Sequence, residues 1–88
     1  MSTKMHIDYK LQYVTRSAVV DVDGRTIGEC LGHFVKQYPE LNKFMYTENG
    51  EFNDSFKVYV KGEDSNSLDV FKPVKDGDEL VLEALVEG

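Results

Sequence analysis

The side chains able to do chemistry are few in this sequence, and their spacing decides how much they could do together. Cys30 and His33 stand three residues apart, as two groups on one edge of a helix would, and could share a metal ion. Completing a tetrahedral site needs further ligands, and the chain has no other cysteine, no CxxC pair and only the remote His6. Cys30 also falls on an apolar stripe with Ile27, Leu31 and Phe34, where cysteine behaves as a small hydrophobe rather than as a redox or sulfur-accepting thiol. Asp21, Asp23, Asp76 and Asp78 are calcium ligands by type, yet neither pair belongs to a spaced acidic loop with a distal glutamate, so they read as turn residues. Acid–base catalysis by such carboxylates would require a cleft that shifts their pKa values, and 88 residues leave little room for one. The residues point to a chain that is not an enzyme by itself.

Composition narrows the partners. Sixteen acidic residues against ten basic ones give a formal net charge of −6, which repels a phosphate backbone and supplies no basic stripe for nucleic acid. A protein with a basic face is the better complement, although solubility alone accounts for a charge of this size. No uncharged apolar stretch is long enough to span a bilayer, and Met1-Ser2-Thr3-Lys4 is not followed by a signal-peptide hydrophobic region, so the reading is cytoplasmic. A lone cysteine excludes an internal disulfide. A chain this short buries only about 60 to 65% of its unfolded surface, so its stability must come from a well-used apolar core.

The elements that position these residues follow from periodicity. Met5, Ile7, Tyr9, Leu11 and Tyr13 fall at alternate positions and predict a strand over 5–13. A polar turn at Thr15-Arg16-Ser17 and a second strand over 18–22 make a hairpin that ends at Asp23-Gly24. Thr26 and Glu29 form a capping-box signature, and Ile27, Cys30, Leu31, Phe34, Val35 and Tyr38 recur at helical spacing until Pro39, predicting a helix over 26–38. Gly28 and Gly32 weaken that helix and suit close approach to a strand. Leu41, Phe44 and Met45 form an irregular apolar connection, and Asn49-Gly50 marks a turn. Strands are expected over 56–60, closed by Lys61-Gly62-Glu63-Asp64, and over 79–86, entered through Asp76-Gly77-Asp78. One helix face must then cover one sheet face, a two-layer α+β arrangement. Most of the ten aromatics must fill the core, and Phe52, Phe56 and Phe71, beside long polar loops, are the ones to test for exposure.

Three segments together carry a resemblance: Asp23-Gly24-Arg25-Thr26-Ile27-Gly28-Glu29, Val58-Tyr59-Val60-Lys61-Gly62-Glu63, and Pro73-Val74-Lys75-Asp76-Gly77-Asp78-Glu79-Leu80. In order and distance from the C-terminus they resemble the MoaD/ThiS family of sulfur carriers, over essentially the whole chain. The resemblance implies one ubiquitin-like β-grasp domain over 1–88. Its mixed sheet would have four to five strands, the first and last parallel at its centre, with one main helix across it and a tail at about 85–88. It implies a carrier whose C-terminal carboxylate, on Gly88, is adenylated and converted to a thiocarboxylate for sulfur transfer, most naturally in molybdopterin biosynthesis. The implied partners are an adenylyltransferase of the ubiquitin-activating type, which uses ATP, and the large subunit of molybdopterin synthase, with no cofactor bound to the carrier. Leu85, Val86 and Glu87 would be the residues the partner's channel holds. Glu87 stands where the family has its penultimate glycine, and Glu83 and Ala84 stand where it often has prolines. A β-grasp binding module that has lost carrier chemistry is therefore the second reading.

Overall fold

The computed structural model describes residues 2–63 and 69–85, and within them the N-terminal alternation gives a strand, β1 (Ser2–Ile7), that buries Thr3, Met5 and Ile7 and exposes Ser2 and Lys4. β2 (Val19–Asp23) runs antiparallel beside it with Met5 opposite Val20. β4 (Glu79–Ala84) lies parallel on the other side with Met5 opposite Leu80, and β3 (Phe56–Val60) closes the sheet antiparallel to β4. The order β2-β1-β4-β3 places the first and last strands at the centre, as the resemblance implies.

Every strand turns its alternate apolar residues to one face, and helix α2 (Ile27–Gln37) buries Ile27, Cys30, Leu31 and Phe34 in the same core as those residues. Cys30 is fully buried, and burial raises its thiol pKa, with the charges of Glu29 and Asp23 adding to the effect. It is a core side chain. His33 accepts a hydrogen bond from the Asp23 backbone N–H at Nδ1, 2.8 Å away, and so ties α2 to the end of β2.

The start of α2 is capped twice. Thr26 Oγ1 accepts from the Glu29 N–H at 3.1 Å, while Glu29 Oε1 reaches past the cap to the Arg25 N–H at 3.0 Å. The segment before β4 covers what remains: the Lys72 and Val70 carbonyls accept from the N–H groups of Ile27 and Gly28, at 3.0 and 2.8 Å. Gly28 thus makes its close approach to a loop rather than to a strand, whereas Gly32 has open space around it. Gly24 is tighter still, because a Cβ there would lie 2.6 Å from the Cys30 backbone nitrogen. Gly24→Ala is therefore expected to cost about 2 kcal/mol, read from urea unfolding, since backbone cannot yield as a side chain would.

The strand expected over 5–13 is shorter. After Ile7 the chain forms a 3₁₀ turn (Tyr9–Leu11) and a one-turn helix, α1 (Gln12–Thr15), ended by Arg16 in the left-handed conformation with φ of 57°. Asp8 causes the break: its Oδ1 accepts from the Lys10 N–H at 2.9 Å, capping the turn. In helical register Leu11 and Thr15 go into the interior while Tyr9 and Tyr13 point to solvent. The apolar connection is likewise more regular than expected, a 3₁₀ turn (Pro39–Leu41) followed by α3 (Asn42–Met45), which bury Leu41 and Met45 and leave Phe44 half-exposed. Of the three phenylalanines singled out, Phe56 is buried, Phe52 half-buried and Phe71 83% exposed.

The turn expectations hold where they are described. Gly50, Gly62 and Gly77 have φ of 82°, 89° and 85°, and the Asp78 carboxylate accepts from the Lys75 N–H at 2.9 Å. The last strand, expected over 79–86, ends at Ala84, so Leu85 lies just beyond it, while Asp64 and Val86 lie outside the described residues.

Candidate functional site: the exit of the last strand

β4 emerges between two neighbours, and the sequence replaces one of them with side chains at the point where the tail begins. β1 pairs with β4 as far as Ile7 opposite Leu82, and the Asp8 N–H still donates to the Leu82 carbonyl at 3.0 Å. Beyond that β1 has turned away. Asp8 Oδ2 then accepts from the Ala84 N–H at 2.9 Å, and Lys10 Nζ donates to the Ala84 carbonyl at 3.0 Å. A carboxylate and an ammonium thus continue the ladder that backbone groups began. On the other side the Leu85 N–H donates to the Ser55 carbonyl at 2.6 Å. The chain is held from both sides up to Leu85, whose own side chain is 47% exposed.

The same bonds bear on the residues that stand where the MoaD/ThiS family, which the sequence resembles, often has prolines. A proline at position 84 would have no N–H, and Asp8 would lose its donor there. Ala84 keeps that donor, and Asp8 makes use of it. Glu83, at the other position where proline is often found, accepts a hydrogen bond from the Tyr59 hydroxyl across the strand pair. That bond to Glu83 raises the pKa of Tyr59.

The Asp8 side chain is only 13% exposed, so burial pushes its carboxyl pKa up. The hydrogen bonds from the Lys10 and Ala84 N–H groups, with the Lys10 charge, outweigh burial and hold the pKa below the ordinary aspartate value. A depressed folded pKa means stability that is present at neutral pH and is lost as pH falls through the ordinary aspartate value towards the lowered one. Asp8→Ala is expected to cost about 2 kcal/mol at pH 7, from the lost cap and the bonds left unmade. The Asp8→Asn variant keeps the shape without the charge, and the gap between it and the parent in urea unfolding should close as the pH is lowered below about 4.

Of the tail residues singled out from the sequence, Leu85 is placed at the end of this clamp, whereas Val86, Glu87 and Gly88 lie outside the described residues. Sequence reasoning missed Asp8 and Lys10, which it had placed on the polar face of a strand. The signal was present in the cap pattern at Asp8 and in Ile7, Leu11 and Thr15, which recur every fourth residue.

An open depression of about 690 Å³ is bounded by Glu40, Lys43, Tyr46, Thr47 and Asn53 among others, and no histidine or cysteine lines it. No group of three or more histidine, cysteine or acidic side chains is gathered for a metal among the described residues, nor is any helix among them long and apolar enough to cross a membrane. His6 pairs with Glu79 on the open face of the sheet, and that hydrogen bond is the main reason the Glu79 carboxyl pKa is lowered.

Solved structures share this architecture. The chain is similar to SAMP1 of Haloferax volcanii, with a TM-score of 0.85 and 28% identity over 100% of this chain and 99% of that one. A chain of the BexX/CysO complex of Amycolatopsis orientalis aligns with a TM-score of 0.79 and 25% identity, covering 98% of each chain. CysO of Mycobacterium tuberculosis aligns with a TM-score of 0.78 and 20% identity over 96% of this chain and 99% of that one, a likeness of fold. No protein-family model matches the sequence, and no curated protein is significantly similar to it. The chain has the ubiquitin-like β-grasp fold of these small proteins.

Proposed function

We propose that this chain is a ubiquitin-like sulfur carrier whose reactive group is the C-terminal carboxylate of Gly88. The observation that carries the reading is the clamp on β4: a central strand, parallel to β1, is held by Asp8, Lys10 and Ser55 where it leads into the tail. The small modifier and carrier proteins that share its fold support the same role.

A carboxylate is a poor electrophile and must be activated. In the proposed sequence an adenylating enzyme lets the Gly88 carboxylate attack the α-phosphorus of ATP, releasing pyrophosphate and leaving an acyl-adenylate. Sulfide then attacks the acyl carbon, the bond to AMP breaks, and a thiocarboxylate remains as a sulfide donor. The carrier contributes position and no catalytic side chain; ATP belongs to the partner. Consumption of that sulfur in molybdopterin synthesis, with the tail inserted into the synthase large subunit, is the use we favour.

Glu87 favours a second reading, a β-grasp binding module without carrier chemistry. Intact-protein mass spectrometry after incubation with an adenylating enzyme of the ubiquitin-activating type, ATP and sulfide separates the two. Exchange of one terminal oxygen for sulfur establishes the carrier. An unchanged mass, together with a complex that needs neither ATP nor Glu87-Gly88, establishes the module.

A further inference from the structure

Large aromatic side chains are normally covered in a chain with so little core to spare, yet Tyr9 is 77% and Tyr13 71% exposed. They stand one helical turn apart on the segment that follows β1, with Leu11 and Thr15 between and beyond them turned inward. This segment adjoins the tail exit. The Lys10 ammonium that holds the Ala84 carbonyl also lies 5.6 Å from the centre of the Tyr9 ring, so Tyr9 borders the point where β4 ends. Leu85, half-exposed, is the residue that follows β4. Single exposed apolar groups are ordinary on a protein surface, but Tyr9 and Leu85 flank one strand exit and Tyr13 continues the exposed face of Tyr9 one turn further on.

The carrier reading says what must touch the tail. In it the reacting carboxylate is on Gly88, three residues beyond Leu85, and three residues reach at most about 10 Å. A partner that brings its nucleotide to the Gly88 carboxylate must therefore place the mouth of its cleft within that distance of the clamp. It cannot do so without meeting the side chains that surround the exit. Tyrosine suits such a contact, because its ring covers a large area with few torsions to freeze, and tyrosines are enriched where interfaces hold most of their energy.

We propose that Tyr9, Tyr13 and Leu85 form a docking collar for the adenylating enzyme that acts on Gly88, and that this enzyme presents an apolar rim around its cleft with basic residues outside it. The basic periphery is the complement of the net charge of −6. The proposal rests on the carrier reading and adds to it where the partner grips. The collar and the tail divide the work: the collar supplies binding, equal before and during reaction, whereas the tail supplies the reacting group. Loss of the collar should therefore raise KM and leave kcat alone.

The test is ATP-dependent pyrophosphate release by the ubiquitin-activating-type enzyme of the same organism, with the full chain as varied substrate. Parent, Tyr9→Ala/Tyr13→Ala and Tyr9→Phe/Tyr13→Phe chains are compared. Both rings are exposed, so thermal unfolding of the three should agree. The double alanine variant is expected to raise KM about tenfold or more at unchanged kcat, with the phenylalanine variant close to the parent. A double alanine variant with the parent's KM overturns the collar and leaves the carrier reading standing, and so does one that loses kcat alone. A parent chain that releases no pyrophosphate at any concentration overturns both.

Discussion

Deleting Gly88 is expected to abolish thiocarboxylate formation, and replacing Glu87 by glycine to raise its rate about tenfold or more. The first effect is one of reach. Without Gly88 a carboxylate still ends the chain, on Glu87, but it stands one residue, about 3.5 Å, short of the α-phosphate. Reacting atoms must approach to about 3 to 3.5 Å, and a misplacement of about 1 Å can cost a hundredfold, so a shortfall of a whole residue leaves no useful rate. The second effect is one of charge and width. Glycines at the end of a carrier tail pass through a narrow channel because they have no Cβ. Glu87 adds bulk and a negative charge near a triphosphate, and two such charges roughly 8 Å apart at an effective dielectric of about 20 repel by about 2 kcal/mol. Intact-mass time courses on the parent, Glu87→Gly and Gly88-deleted chains check both effects. A parent as fast as Glu87→Gly would mean that the partner's channel has a cation set opposite Glu87, a specificity device in which the mismatch is matched elsewhere.

How much of this was legible in the residues differs sharply between the fold and its exit. The helix over 27–37 was readable nearly to the residue, because Thr26, Glu29 and Pro39 give local signals at both ends and the apolar stripe between them has one period. β3 was equally plain, with Phe56, Val58 and Val60 inward and turns on both sides. The segment after Ile7 was not, because Tyr9, Leu11 and Tyr13 satisfy a strand's alternation while Ile7, Leu11 and Thr15 satisfy a helix's period. Only Asp8 decides between them, and it does so through a cap at one end and a contact 76 residues away at the other. A long-range hydrogen bond of this kind leaves no periodic trace. The capping box erred by a single residue: Thr26 Oγ1 accepts from the Glu29 N–H as the signature requires, but Glu29 Oε1 accepts from the Arg25 N–H rather than from that of Thr26.

The core makes the opposite kind of claim, and Phe34→Ala should show it with a loss of about 4 kcal/mol. Phe34 is fully buried in α2, its ring centre 5.3 Å from that of Tyr38, and nothing in so small a protein collapses readily into the space it would leave. Stabilities of roughly 0.05 to 0.15 kcal/mol per residue give this chain about 4 to 13 kcal/mol in all, so one substitution removes a third or more of it. Urea unfolding measures the loss directly. The consequence for function is more informative than the number. If the carrier's chemistry is confined to the tail, thiocarboxylate formation by Phe34→Ala should fall only in proportion to the folded fraction, and should recover at temperatures or osmolyte concentrations that restore folding. Cys30→Ala, which removes the only thiol at a buried position, should likewise leave the rate per folded molecule unchanged. A rate that fell in Cys30→Ala at full folding would place a sulfur-bearing step on the body of the domain, and the division between a scaffold that holds and a tail that reacts would have to be abandoned.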